Sequence, residues 1–291
     1  MVWTACPRTT RTSKLSRPST TTTSVAATTT QPGPRPITTR TTKNMIDTQT
    51  HDKLMAMKLT AMAEAFLELQ KEAPSHQRSF AEKLGYMVDQ EWTARENRRL
   101  SRLLRAAKLT SDASLEDVWT TPGRGVAKAT IRELATCKWI EHHHNVICVG
   151  KTGCGKSYIS AALAQAACRR GYGTLYSRVP RLVEEIAIAR ADGSYPRLLA
   201  RLAKLQVLVL DDFLLAPLKD TERRDLLEIL EDRYDHSSTV IASQLPTDKW
   251  HAALGDPTIA DAICDRVVHN AHVLILEGQS GRKRKGLNTN T

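Results

Sequence analysis

The chain lacks most features that mark secreted, metal-stapled or membrane-bound proteins. Its six cysteines (Cys6, Cys137, Cys148, Cys154, Cys168 and Cys264) include no C-x-x-C pair. That argues against a zinc site or a disulfide framework and for reduced thiols. No apolar run approaches the roughly 20 residues a membrane helix needs, and no signal-peptide hydrophobic stretch opens the chain. A soluble, cytoplasmic protein is expected, with no membrane partner. Aliphatic and aromatic side chains are nearly absent from residues 1–44, which are rich in Thr, Arg, Ser and Pro. Such a stretch cannot bury enough surface to fold. It reads as a disordered tail, or as an upstream-extended start ahead of Met45 or Met55; a basic, acid-poor presequence is the other reading. His142-His143-His144 does not read as a metal site, because three consecutive residues cannot all face one ion from a regular element. It reads as a solvated turn.

What is present is charge of one sign and one strong motif. The 291 residues carry a formal net charge of +11, which points to an acidic partner, nucleic acid first. Gly150-Lys151-Thr152-Gly153-Cys154-Gly155-Lys156-Ser157 fits the phosphate-loop pattern G-x-x-x-x-G-K-[ST]. An apolar run, Val146 to Val149, leads into it, and a helical run from Tyr158 to Arg170 leaves it. Glycines allow the backbone to approach phosphates closely, and the N–H groups at the helix start face the anion. Lys156 is expected to reach the β- and γ-phosphates of ATP, and the Ser157 hydroxyl to ligate Mg2+. Val207 to Leu210 reads as a buried parallel strand ending in Asp211-Asp212. Asp211 is expected to hold the metal, and Asp212 to orient or deprotonate the attacking water or else to cap a turn.

Periodicity places the other elements. Leu54, Met57, Leu59, Met62, Phe66 and Leu69 predict a helix over 52–72, with Asp52 as its cap and Pro74 as its end. A second helix is expected from Ser79 to about Leu109. On it Arg95, Arg98, Arg102 and Arg105, with Arg99 and Lys108, form a basic ridge interrupted only by Glu96. Contact with the phosphate backbone of DNA and a solvated charged face are the two readings of that ridge. Residues 110–128 read as a linker. A helix over 130–139 carries Ile131, Leu134 and Trp139, which either flank the adenine ring or pack in the core. Short strands at 174–176, 238–242 and 272–276 alternate with helices, one of them capped by Asp220. This alternation predicts a three-layer αβα domain with a parallel sheet. Ser243-Gln244 falls at the tip of the fourth strand, where it either feels the γ-phosphate or makes an ordinary turn. Arg266 either serves a neighbouring subunit's nucleotide or pairs with Asp261 or Asp265. Arg282-Lys283-Arg284-Lys285 is a cationic block near the C-terminus.

Taken together, these residues resemble the IstB-type ATPases, the helper proteins of two-gene insertion sequences, which belong to the AAA+ class alongside DnaC-type helicase loaders. The resemblance covers roughly residues 50–286. It is carried by Arg95-Glu96-Asn97-Arg98-Arg99-Leu100, the phosphate loop, Leu210-Asp211-Asp212-Phe213, Ala242-Ser243-Gln244-Leu245-Pro246 with Trp250-His251, and Asp261-Ala262-Ile263-Cys264-Asp265-Arg266. It implies a P-loop AAA+ core with strand order 5-1-4-3-2 behind a small all-helical domain. The implied boundaries are a tail over 1–44, a helical DNA- or partner-binding domain over 45–110, a linker over 111–128, an ATP-binding domain over 129–286 and a tail over 287–291. The resemblance also implies a homo-oligomer that forms on duplex DNA with ATP and hands the target site to the element's transposase. Gln244 matches sensor 1, Arg266 the arginine finger and Arg282 the sensor 2 region. Asp212 stands where many AAA+ proteins have Glu, which implies slow hydrolysis. A helicase loader shares the same core and is the alternative function. A small-molecule kinase and a non-hydrolysing scaffold are more distant rivals.

Overall fold

The computed structural model describes residues 39–71, 78–118, 120 and 123–278. The chain divides into two compact units, residues 1–53 and residues 54–291. The described part of the first is helix α1 (Thr39–Ala56), whose last turn belongs to the second. The helix thus starts within the stretch expected to be disordered, and Asp52 lies inside it rather than capping its start. Sequence periodicity predicts one helix over 52–72, but the chain breaks after α1. Lys58 takes a left-handed conformation, φ +59°. The Lys58 amide then bonds Met55 O and the Leu59 amide bonds Leu54 O, both at 2.9 Å. This pair of bonds closes a helix C-terminus in the manner usually built on glycine.

The chain re-enters a helix at once as α2 (Thr60–Lys71), followed by α3 (Phe80–Ala107). Ser79 caps α3: its hydroxyl accepts from the Glu82 amide at 3.3 Å while Glu82 accepts from the Ser79 amide at 2.6 Å. The helix predicted over 130–139 is likewise split, into α4 (Lys128–Ala135) and α5 (Lys138–Glu141), by Cys137 at φ +57°. Ala113, Leu115 and Val126 are buried in the core, so the 111–128 stretch is tied to it more closely than a linker composition implied.

Five parallel strands form the sheet: β1 (Asn145–Gly150), β2 (Thr174–Arg178), β3 (Val207–Phe213), β4 (Ser238–Ser243) and β5 (Ala271–Leu276). Their order, β2-β3-β4-β1-β5, is the expected one. Because successive strand side chains point to opposite faces, the strands feed two separate cores. Val146, Cys148, Val207, Val209, Val240 and Ala242 pack with α4 and with α6 (Lys156–Arg169). Ile147, Val149, Leu208, Leu210 and Ile241 face the other side. There they meet α7 (Val179–Ala191), α8 (Tyr195–Ala203), α9 (Asp220–Arg233), α10 (Trp250–Leu254) and α11 (Pro257–Val268). Burial on both faces is why the strands read as continuous apolar runs. α9 begins at Asp220, with Lys219 at its cap position, so Asp220 does not cap it. Asp220 pairs instead with Arg223.

Candidate nucleotide site

β1 and α6 set the site between them. Gly150 has φ +158°, and a Cβ there would lie 2.3 Å from Leu276 O on β5, so only glycine lets the chain leave the sheet here. Gly155, at φ +93°, starts α6 and leaves that helix's first amides open to an anion. Lys156 is buried, and its Nζ donates to Lys151 O at 3.0 Å, arching over the loop. Burial lowers its pKa, while Cys154, Asp211 and Asp212 pull the other way. The Ser157 hydroxyl donates to Asp211 Oδ1 at 3.1 Å. Two hard oxygen donors at that spacing beside open amides fit Mg2+ with a triphosphate. Sequence reasoning paired these two residues across 54 positions, and the fold joins them.

A bulge explains how two consecutive acids both reach the site. The β3–β4 register shifts between Leu210 and Phe213, and Asp212 sits at φ +56°. This breaks the alternation that would send Asp211 and Asp212 to opposite faces. Asp212 Oδ2 accepts from Arg178 Nε at 2.7 Å, and Arg178 Nη2 lies 2.6 Å from the same oxygen. Ser243 is wholly buried; its hydroxyl donates to Phe213 O at 2.9 Å and accepts from the Leu245 amide at 3.1 Å. It holds the bulged strand tip rather than facing the phosphate loop. Gln244 does face it, since its Oε1 accepts from the Thr152 hydroxyl at 2.9 Å. Trp250 anchors this loop: its ring lies 4.8 Å from that of Phe213, and its Nε1 donates to Leu245 O at 2.9 Å.

Arg266 is not brought to its own chain's phosphate loop. Its guanidinium donates to Ala262 O at 2.9 Å and pairs with Glu231 on α9 at 2.6 Å, not with Asp261 or Asp265. Those two acids pair with His251 and His269. The Arg266 carbonyl accepts from Asn145 at the start of β1, the opposite end of that strand from the loop. Ile131, Leu134 and Trp139 are buried in the core. Trp139 Nε1 donates to Leu134 O at 3.1 Å, so the core reading holds. Arg282 and the cationic block around it lie outside the described residues.

The family of IstB-like ATP-binding proteins matches residues 52–289 of this sequence. The chain belongs to the IstB-like family. An insertion sequence ATP-binding protein of Sinorhizobium fredii is 48% identical over 241 residues, 83% of this chain and 98% of that one. The corresponding protein of insertion sequence IS1162 from Pseudomonas fluorescens is 42% identical over 214 residues, 73% and 93% of the two chains. Among solved structures, DnaI matches with a TM-score of 0.50 at 23% identity, over 60% of this chain and 93% of that one. AMPPCP-bound DnaA from Aquifex aeolicus matches with a TM-score of 0.51 at 18% identity, over 63% and 57%. That likeness is one of fold, a parallel sheet with helices on both faces.

Four of the five ridge arginines of this IstB-like chain are partly engaged. Glu91 is buried, and its carboxylate takes Arg95 Nε at 2.8 Å and Arg98 Nη2 at 3.0 Å. It also accepts from the Ala61 and Met62 amides at 3.0 and 3.3 Å, capping the start of α2 from across the hairpin. Leu59, in the cap position, has no side-chain acceptor. Burial works against the charged Glu91, but these hydrogen bonds outweigh it and hold its pKa below the usual carboxylate value. Glu91 therefore neutralises part of a ridge that Glu96 alone was expected to interrupt. Arg99 donates to Gly171 O at 3.3 Å and Arg105 to Ser101 O at 3.2 Å. All five arginines remain exposed. Arg102 makes no ion pair among the described residues.

Three contributors to the site escaped the sequence reading. Tyr176 and Arg178 on β2 touch Asp211 and Asp212, and the short polar end of that strand, Ser177-Arg178, was the available signal. Arg124 donates to Cys154 O of the phosphate loop at 2.6 Å. Its own carbonyl accepts from the Glu277 amide just past β5 at 3.0 Å.

Proposed function

We propose that this protein hydrolyses ATP as a timed switch while assembled on duplex DNA, and that it passes the target DNA to the transposase of its element. The observation that carries the reading is the contact between Ser157 and Asp211 at 3.1 Å, with Gln244 joined to Thr152 beside it. Residues 150–157 hold the phosphates, Lys156 offsets their charge, and Ser157 and Asp211 hold Mg2+. The metal supplies charge neutralisation at the β- and γ-phosphates. Asp212 accepts a proton from the attacking water, Gln244 fixes that water's orientation, and Arg266 reaches the nucleotide of a neighbouring subunit. Arg95, Arg98, Arg99, Arg102 and Arg105 meet DNA phosphates without reading bases. An exposed apolar series on α3, Phe80, Leu84, Val88 and Trp92, supports a protein partner for the helical region.

The test is phosphate release with and without duplex DNA, together with electron microscopy of protein, DNA and a non-hydrolysable ATP analogue. DNA-stimulated turnover lost in Asp212→Asn, with nucleotide-dependent rings or filaments on DNA, is the expected result. Turnover that ignores DNA, or a phosphorylated small molecule as product, would overturn the reading.

A further inference from the structure

Tyr176 lies in β2 and is 4% exposed. Across the β2–β3 pair it stands opposite Val209, which makes Asp211 its diagonal neighbour on the same face. Its phenol donates a short hydrogen bond to Asp211 Oδ2. The other oxygen, Oδ1, is the one that meets the Ser157 hydroxyl. The carboxylate is therefore gripped at one oxygen and presented at the other. A free aspartate rotates about two side-chain bonds, and any rotamer that turns Oδ1 away removes a metal ligand.

We propose that Tyr176 is a positioning residue that holds Asp211 in the one orientation that offers Oδ1 to the metal beside Ser157. This rests on the reading that Ser157 and Asp211 hold the metal of Mg·ATP. The chemistry suits the task. A lysine or arginine in the same place would compete with a divalent cation for the carboxylate, whereas a phenol donates a hydrogen bond and adds no positive charge. The ring is itself held by burial, packed in the core between the sheet and its helices, before its hydroxyl fixes Asp211.

The experiment is an Mg2+ titration of a fluorescent ATP analogue bound to the full chain, for wild type, Tyr176→Phe and Asp211→Asn. Phenylalanine keeps the ring and its packing and removes only the hydroxyl. Tyr176→Met is run in parallel in case one variant fails to fold, and thermal melts check both. In Tyr176→Phe the Mg2+ concentration at half-saturation should rise five- to twentyfold, while binding in EDTA stays within twofold of wild type. A variant that melts earlier but keeps the wild-type Mg2+ midpoint would show a purely structural role and overturn the inference alone. A wild-type protein whose nucleotide binding is indifferent to Mg2+ would overturn the underlying assignment of Ser157 and Asp211 as well.

Discussion

Arg178, the last residue of β2, grips Asp212 through two nitrogens, 2.7 and 2.6 Å from one carboxylate oxygen. The residue assigned to the attacking water is thereby engaged in an ion pair within its own chain. The hydrogen bond to Asp212 is also the main cause of a raised Arg178 pKa, so the guanidinium stays charged at any accessible pH. Removing it should free the acid. Arg178→Ala is expected to raise basal ATP turnover several-fold and to shrink the stimulation by duplex DNA. Phosphate release measured with and without DNA checks both.

The clamp at Glu91 predicts an acid-sensitive hairpin. Glu91's folded pKa lies below its unfolded value, so the ionised carboxylate stabilises the α2–α3 pair fully above the unfolded value of about 4.5. That contribution is lost as pH falls through the lower, folded pKa. Glu91→Gln should remove the acid dependence and cost about 1–3 kcal/mol at neutral pH, because Arg95, Arg98 and the α2 amides lose a charged acceptor. Thermal melts from pH 7 down to 3 should show the wild type converging on the variant.

The ridge arginines should behave as phosphate contacts. Arg102→Ala and Arg105→Ala are each expected to weaken binding to unrelated duplex sequences alike, and to lower the slope of log affinity against log salt by about 1. Arg95→Ala should cost stability as well, because Arg95 is half of the Glu91 clamp. Fluorescence anisotropy across a salt series separates the two effects.

Arg266 should show its role only in mixtures. Arg266→Ala is expected to leave nucleotide binding intact while lowering turnover tenfold or more, and to regain turnover when mixed with Lys156→Ala protein. A loss of ATP binding in Arg266→Ala would instead show that the ion pair with Glu231 is structural.

The sheet and the phosphate site were legible because the sequence carries their physics locally. Buried parallel strands must be apolar runs, and a loop that wraps a triphosphate must have glycines where Cβ atoms would collide. Helix breaks were not legible, since Lys58 and Cys137 occupy left-handed positions where glycine would have announced a stop. The cap on α2 was hidden for another reason. Its acceptor, Glu91, sits 30 residues away on α3, beyond any local signal. Tyr176 and Arg178 were missed for a different reason: the polar strand end Ser177-Arg178 was a local signal, but their partners are set by strand pairing, and a β-bulge has no mark of its own in sequence.

α3 spans 28 residues and packs at its C-terminal half against α6 and β2, with Arg99 bonded to Gly171 O. A helix of that length is a rod of about 42 Å. Rooted beside the strand that bears Tyr176, it has the proportions of a lever. One degree of tilt at its base would carry the Phe80 end through roughly 0.7 Å.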